Sequence, residues 1–145
     1  MWNQWLNNLT GRKLTILTES SLQNSKTIKT LLKNFMSKSN FEDLKFDCSR
    51  KPDYKLLFGN KEIGVLYRTI VGDRFYINFI GITSSFRKFE KEFLSRLEQI
   101  AKNEGCKYII SKDVFFKETS VLKQLRYDLY EKNRNGVKIY RKNIN

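Results

Sequence analysis

The fold class that this sequence predicts is a mixed α/β sheet of about six to seven strands with helices on both faces, formed by one domain over residues 1–145. Three observations lead there. Short apolar runs of strand length alternate along the chain with stripes at helical spacing. The run Phe75-Tyr76-Ile77-Asn78-Phe79-Ile80-Gly81-Ile82 is apolar on both faces, so it needs cover on each side, as a central strand has. That run, the helical stripe after it and a further apolar run make a strand-helix-strand unit, which crosses over right-handed and leaves its two strands parallel.

The elements follow in order. Leu14-Thr15-Ile16-Leu17, after Gly11-Arg12-Lys13, reads as a first strand. Ile28, Leu31, Leu32, Phe35 and Met36 recur at helical spacing with Lys26, Lys29 and Lys33 opposite, which predicts a helix packed on the sheet. Residues 37–53 are polar and form a connection or a short helix. Tyr54–Phe58 meets Gly59-Asn60, and Ile63, Val65 and Tyr67 alternate afterwards, which is a hairpin signature. Val71-Gly72-Asp73 turns the chain into the central run. Phe89, Phe93, Leu97, Ile100 and Ala101 form the apolar stripe of a helix that stops at Asn103-Glu104-Gly105. Cys106–Ser111 is the next strand, and Ser120–Arg126 a short helix carrying Val121, Leu122 and Leu125. Leu129–Lys132 and Val137–Tyr140 flank Asn135-Gly136, a dipeptide that favours positive φ, so the chain ends in a hairpin.

Composition excludes much chemistry. The chain has no histidine, so it builds neither a Ser-His-Asp nor a Cys-His relay, nor a zinc site that relies on imidazole. Any general base is a carboxylate, a phenol, an amine or water. Cys48 and Cys106 lack the spacing of a metal knuckle or a dithiol motif and read as buried small hydrophobes. Reduced cysteines, the lack of a bilayer-length apolar run and a start, Met1-Trp2-Asn3-Gln4-Trp5, without the pattern of a signal peptide predict a soluble intracellular protein.

The net charge is +13, from 28 Lys+Arg against 15 Asp+Glu, with most of the excess in residues 1–40 and 105–145. Basic flanks around a near-neutral middle suit an acidic partner or a polyanion, and equally a simply basic surface.

The order of elements, with residues 61–142, resembles the GNAT superfamily of N-acetyltransferases. Lys61-Glu62-Ile63-Gly64-Val65-Leu66 looks like that family's third strand. Ile82-Thr83-Ser84-Ser85-Phe86-Arg87-Lys88-Phe89-Glu90-Lys91-Glu92-Phe93-Leu94 looks like its fourth strand running into the cofactor loop and helix, and Leu97–Ile109 like the helix-turn-strand that follows. The resemblance implies acetyl-CoA as cofactor, bound at Ile82, Thr83, Arg87, Lys88, Phe89, Glu90, Lys91 and Glu92, and no metal.

A strand ending at a loop that opens a helix aims backbone N–H groups and the positive end of the helix dipole at an anion, so a pyrophosphate fits there. Arg87 matches the first position of the family's loop, whereas Glu90 and Glu92 stand where it has small residues. Two carboxylates there oppose a diphosphate, Lys88 and Lys91 offset part of that, and the glutamates themselves suit the helix N-terminus. The family's proton-donating tyrosine falls on Leu122, with Arg126-Tyr127 in place of a glycine-aromatic pair. Tyr130 reaches the site only in a different register and otherwise packs as a strand aromatic; Asn78 and Tyr76 point toward the place of the family's base, where Asn78 holds at most a water. These positions leave the catalytic residues unassigned.

Two functions follow. The resemblance implies an N-acyltransferase moving an acetyl group from acetyl-CoA to an amine, the basic ends selecting a macromolecular acceptor. The alternative is an inert scaffold of the same fold that docks on nucleic acid, a ribonucleoprotein or an acidic protein surface. Lys26, Lys29 and Lys33, and Lys132, Arg134, Lys138, Arg141 and Lys142 interleaved with Tyr130 and Tyr140, are the candidate contacts, and Trp2 and Trp5 are candidate anchors.

Overall fold

Turn chemistry sets most of the strand boundaries. In the computed structural model, which describes residues 14–18, 52–116 and 120–145, strand β1 spans Leu14–Thr18, β2 Tyr54–Phe58 and β3 Lys61–Val71. Gly59 adopts φ 62° between β2 and β3, and Gly72 φ 62° between β3 and β4, Arg74–Ile82. Both lie in the left-handed region that a residue without Cβ enters at no steric cost. A 3₁₀ turn, Ser84–Phe89, leads into helix α1, Glu90–Asn103, and β5 covers Tyr108–Lys112. A second 3₁₀ turn, Asp113–Phe115, precedes α2, Ser120–Gln124, after which β6, Asp128–Lys132, and β7, Lys138–Asn143, close the chain as a hairpin.

The strands form one mixed seven-stranded sheet in the order β1-β2-β3-β4-β5-β7-β6. β4 is its middle strand, as its apolar run predicts, and the β4–β5 pairing is parallel while every other pairing is antiparallel. The core gathers Tyr54, Leu56, Val65, Tyr67, Phe75 and Phe79 from the strands and Phe93, Leu94, Leu97 and Ala101 from the stripe of α1. β3 and β4 approach closely at Gly64, where an added Cβ would stand 2.4 Å from the Gly81 carbonyl oxygen. No helix among the described residues is long and apolar enough to cross a membrane.

Several boundaries differ from the sequence reading, among them β7, which runs Lys138–Asn143 rather than Val137–Tyr140. β5 begins at Tyr108, not Cys106, because Cys106 N–H donates to Ala101 O at 3.0 Å and completes the C-terminal turn of α1 around Gly105, at φ 85°. α2 ends at Gln124, and Arg126 takes φ 67°. The last hairpin turns through five residues, not through Asn135-Gly136 alone. Asn133 N–H donates to Val137 O at 2.9 Å, and its side-chain oxygen accepts from the N–H of Asn135 and Val137. The helix expected at 28–36 with its lysines, Cys48, and Trp2 and Trp5 lie outside the described residues.

Candidate functional site

The two parallel strands touch only briefly. Arg74, Phe75 and Tyr76 of β4 pair with Tyr108, Ile109 and Ile110 of β5, and there the ladder ends. β5 continues through Ser111 and Lys112 paired to β7, whereas β4 runs on to Ile82 with no strand partner on that side among the described residues. A cavity of about 520 Å³ opens where they part. Tyr76, Ile77 and Asn78 line one wall, Ile110, Ser111 and Lys112 the other, and the β6–β7 hairpin closes the far side.

That hairpin brings chemistry which strand alternation does not reveal. Leu129 pairs with Tyr140 but Glu131 with Ile139, so Tyr130 is the extra residue of a bulge. The slip lets both Tyr130 and Glu131 line the cavity. Tyr130 thereby lines the cavity, and its ring also packs on Arg141, 4.5 Å away, as a strand aromatic does. Hydrogen bonding to Tyr76 foremost, then the charge and hydroxyl of Tyr130, raises the Arg74 pKa above its ordinary value. Glu131 is the one carboxylate among the lining residues. The sequence reading passed over it, and the only available signal was its place beside a strand tyrosine. Asn78 also lines the cavity, and its Nδ2 donates to Thr69 Oγ1 at 2.6 Å.

At the C-terminal end of β4 lie the residues expected to hold an anion. Ile82 is buried at the end of β4. Thr83 N–H donates to Ile63 O at 2.8 Å, and its Oγ1 is buried without a hydrogen-bond partner. Arg87 Nη2 lies 3.2 Å from Glu90 Oε2 and also donates to Phe115 O at 3.3 Å. Glu90 is buried, in the first turn of α1. Phe89 precedes that turn and stacks on Phe58, their centroids 5.2 Å apart. Lys88, Lys91 and Glu92 are exposed, Glu92 pairing with Arg96 at 3.1 Å. The fold thus gathers Ile82, Thr83, Arg87 and Glu90 at one junction and turns the other charged side chains toward solvent.

These residues fit the two parts of an acyl-CoA unequally. The parted strands and the unpartnered Thr83 hydroxyl suit an extended arm bearing amide and carbonyl groups. The anion cradle is occupied by the protein's own ion pair: the Arg87 guanidinium must exchange Glu90 for phosphate before it holds a diphosphate.

Behind the sheet, Tyr127 is buried and donates to Glu98 Oε2 at 3.0 Å, while Lys142 Nζ donates to Glu98 Oε1 at 2.6 Å. Burial first, and then Glu98, pushes the Tyr127 pKa well above its ordinary value. Leu122 is fully buried and has no proton to give. Of the basic hairpin residues, Lys132, Arg134 and Lys138 are exposed, Arg141 lies 5.2 Å from the Tyr108 ring as well as against Tyr130, and Lys142 is bound to Glu98. Cys106 is buried, and burial pushes its thiol pKa up, which keeps it protonated and inert. Among the described residues no three metal-ligating acid or thiol side chains cluster.

No protein-family model and no curated protein sequence matches the chain. Solved structures resemble it in fold. A protein of Lactobacillus plantarum with an inferred N-acetyltransferase assignment superposes with a TM-score of 0.66 at 15% identity, over 91% of this chain and 99% of that one. The aminoglycoside 6'-N-acetyltransferase of Enterococcus faecium gives 0.63 at 12% identity, over 90% and 97%. N-acetylglutamate synthase from Neisseria gonorrhoeae, solved with coenzyme A and N-acetyl-glutamate, gives 0.61 at 9% identity, and the match covers 92% of this chain but 35% of that one.

Proposed function

From the GNAT-like N-acetyltransferase fold that the chain shares with those structures, we propose that it transfers an acetyl group from acetyl-CoA to an amine. The observation that carries this reading is the parting of β4 from β5 after Tyr76 and Ile110, with a cavity at the fork. When bound, acetyl-CoA supplies an electrophilic thioester carbonyl. The residues of β4 beyond Tyr76 offer backbone groups to orient it, and Thr83 Oγ1 offers one more polar contact.

Glu131, in a chain without histidine, takes the proton that an acceptor ammonium must lose, and the Tyr130 hydroxyl donates to the departing sulfur. An intracellular setting, where the thioester is made, agrees with a free buried thiol at Cys106.

The test is a thermal shift of the purified chain with acetyl-CoA and with coenzyme A. A ligand at about 100 times its Kd stabilises the fold by roughly 2.7 kcal/mol. Raised melting temperatures, with acetyl transfer to an amine detected by mass, support the reading; no shift with either ligand defeats it.

The Arg87–Glu90 pair favours a second reading, an inert scaffold whose anion loop is closed by its own side chains. The exposed Lys132, Arg134 and Lys138 would then meet a nucleic acid, a ribonucleoprotein or an acidic protein surface. For RNA, that reading requires an affinity that falls steeply with salt. The macromolecular acceptor suggested by the basic flanks belongs to the same test, because it too would bind through those residues.

A further inference from the structure

We propose that the cavity at the fork takes a small, free amine that also carries an acid group, its ammonium at Glu131 and its carboxylate or phosphate at Arg134. The proposal rests on the acetyltransferase reading for the reaction and on the cavity alone for the binding.

Volume is the first argument. About 520 Å³ is the size of a small-molecule pocket, and with the thioester end in part of it the rest suits a small acceptor. Charge is the second. Arg134 and the single carboxylate of Glu131 both line the cavity, so it offers one charge of each sign. Arg74 and Arg141 stand close by through Tyr76 and Tyr130. Among the described residues Glu131 makes no ion pair, so its carboxylate is available to an ammonium group.

A dication such as a diamine would satisfy Glu131 with one end and set its other end against Arg134. A zwitterion with a net anionic end satisfies both signs, and a charge set against its opposite at each end separates it from the dication. The remaining lining is mixed: Ile77, Ile110 and Ile139 can take the carbon chain of the acceptor, and Asn78 and Ser111 add polar groups beside it.

The chemistry balances. The new amide C–N bond forms as the thioester C–S bond breaks, one ammonium proton passing to Glu131 and a second to the departing sulfur through Tyr130.

Isothermal titration of the full chain, without acetyl-CoA, with L-glutamate, O-phosphoethanolamine, cadaverine and the tripeptide Glu-Gly-Gly tests it. Saturable heat with L-glutamate or O-phosphoethanolamine is expected, the two separating carboxylate from phosphate recognition, with cadaverine at least tenfold weaker. Arg134→Glu, an exposed turn position, should reverse that order while the circular dichroism spectrum stays unchanged. Cadaverine binding as tightly as the zwitterions, the tripeptide binding more tightly, or no heat from any probe at millimolar concentration overturns the proposal. Zwitterion heat in a chain that acetyl-CoA fails to stabilise upholds the site and overturns the reaction, so the two failures are distinguishable.

Discussion

Arg87 and Glu90 hold each other across one turn, Nη2 to Oε2 at 3.2 Å, at the junction where β4 gives way to α1. One side chain is the cation the anion loop needs, and the other is the anion that competes for it. Opposite unit charges near 4 Å interact by about 4 kcal/mol at an effective dielectric of 20, and the partly exposed guanidinium reduces this to roughly 1 kcal/mol.

Glu90→Gln should therefore free Arg87 for phosphate. Coenzyme A is expected to bind about fivefold more tightly to the variant in isothermal titration. Equal or weaker binding would show that Glu90 does not compete for the site.

Glu131 is assigned the acceptor's proton. Glu131→Gln keeps the shape and removes the base, so kcat for acetyl transfer near neutral pH should fall by about 100-fold. Coenzyme A affinity, read from the thermal shift, should hardly move. A variant with wild-type turnover would remove Glu131 from the chemistry.

Gly64 leaves β3 no room for a methyl group against β4, since the nearest atom is a backbone oxygen that cannot rotate away. Gly64→Ala should lower the unfolding free energy by about 1–3 kcal/mol in urea titration. An unchanged midpoint would mean that the two strands separate freely at this point.

Arg126 is the non-glycine residue with positive φ among those described, at 67°. The resemblance would put a glycine at this position, which suits a positive φ. Relief of about 1 kcal/mol of left-handed strain, less the extra chain entropy of glycine, predicts that Arg126→Gly stabilises the fold by roughly 0.5 kcal/mol. A loss of stability in the same titration would show that the Arg126 side chain makes up for its backbone.

Tyr54 is fully buried, donates a short hydrogen bond to Glu104 and accepts from Arg68 Nε at 3.2 Å. Burial, then Glu104, pushes its pKa up to about 12 against a partial lowering by Arg68. The folded state then holds this proton more tightly than the unfolded one, so the contribution of Tyr54 to stability is constant below about pH 10 and falls between about pH 10 and 12. Tyr127 adds to the same alkaline loss. Tyr54→Phe should shallow that limb in denaturation curves taken at several pH values, and an identical slope would rule Tyr54 out as its source.

Much of the scaffold is legible because its signals are short-ranged. Gly59, Gly72, Gly105 and Gly136 all take the positive φ that their turns demand, and the stripe of Phe93, Leu97 and Ala101 is buried as its spacing predicts. The site is less legible. Glu131 reaches the cavity through a bulge at Tyr130, and a bulge has no signature in an alternation of residue types. The competition for Arg87 needed only a glutamate three residues on, so it was readable as charge near a loop, but not as a buried pair.

By itself the sequence determined where the chain turns, which run lies at the middle of the sheet and that no imidazole takes part in the chemistry. These are properties of single residues and their near neighbours. Only the tertiary structure decided where β4 and β5 separate and which carboxylate meets the opening. Both depend on the pairing of strands distant in sequence, whose register follows from the packing of the whole sheet.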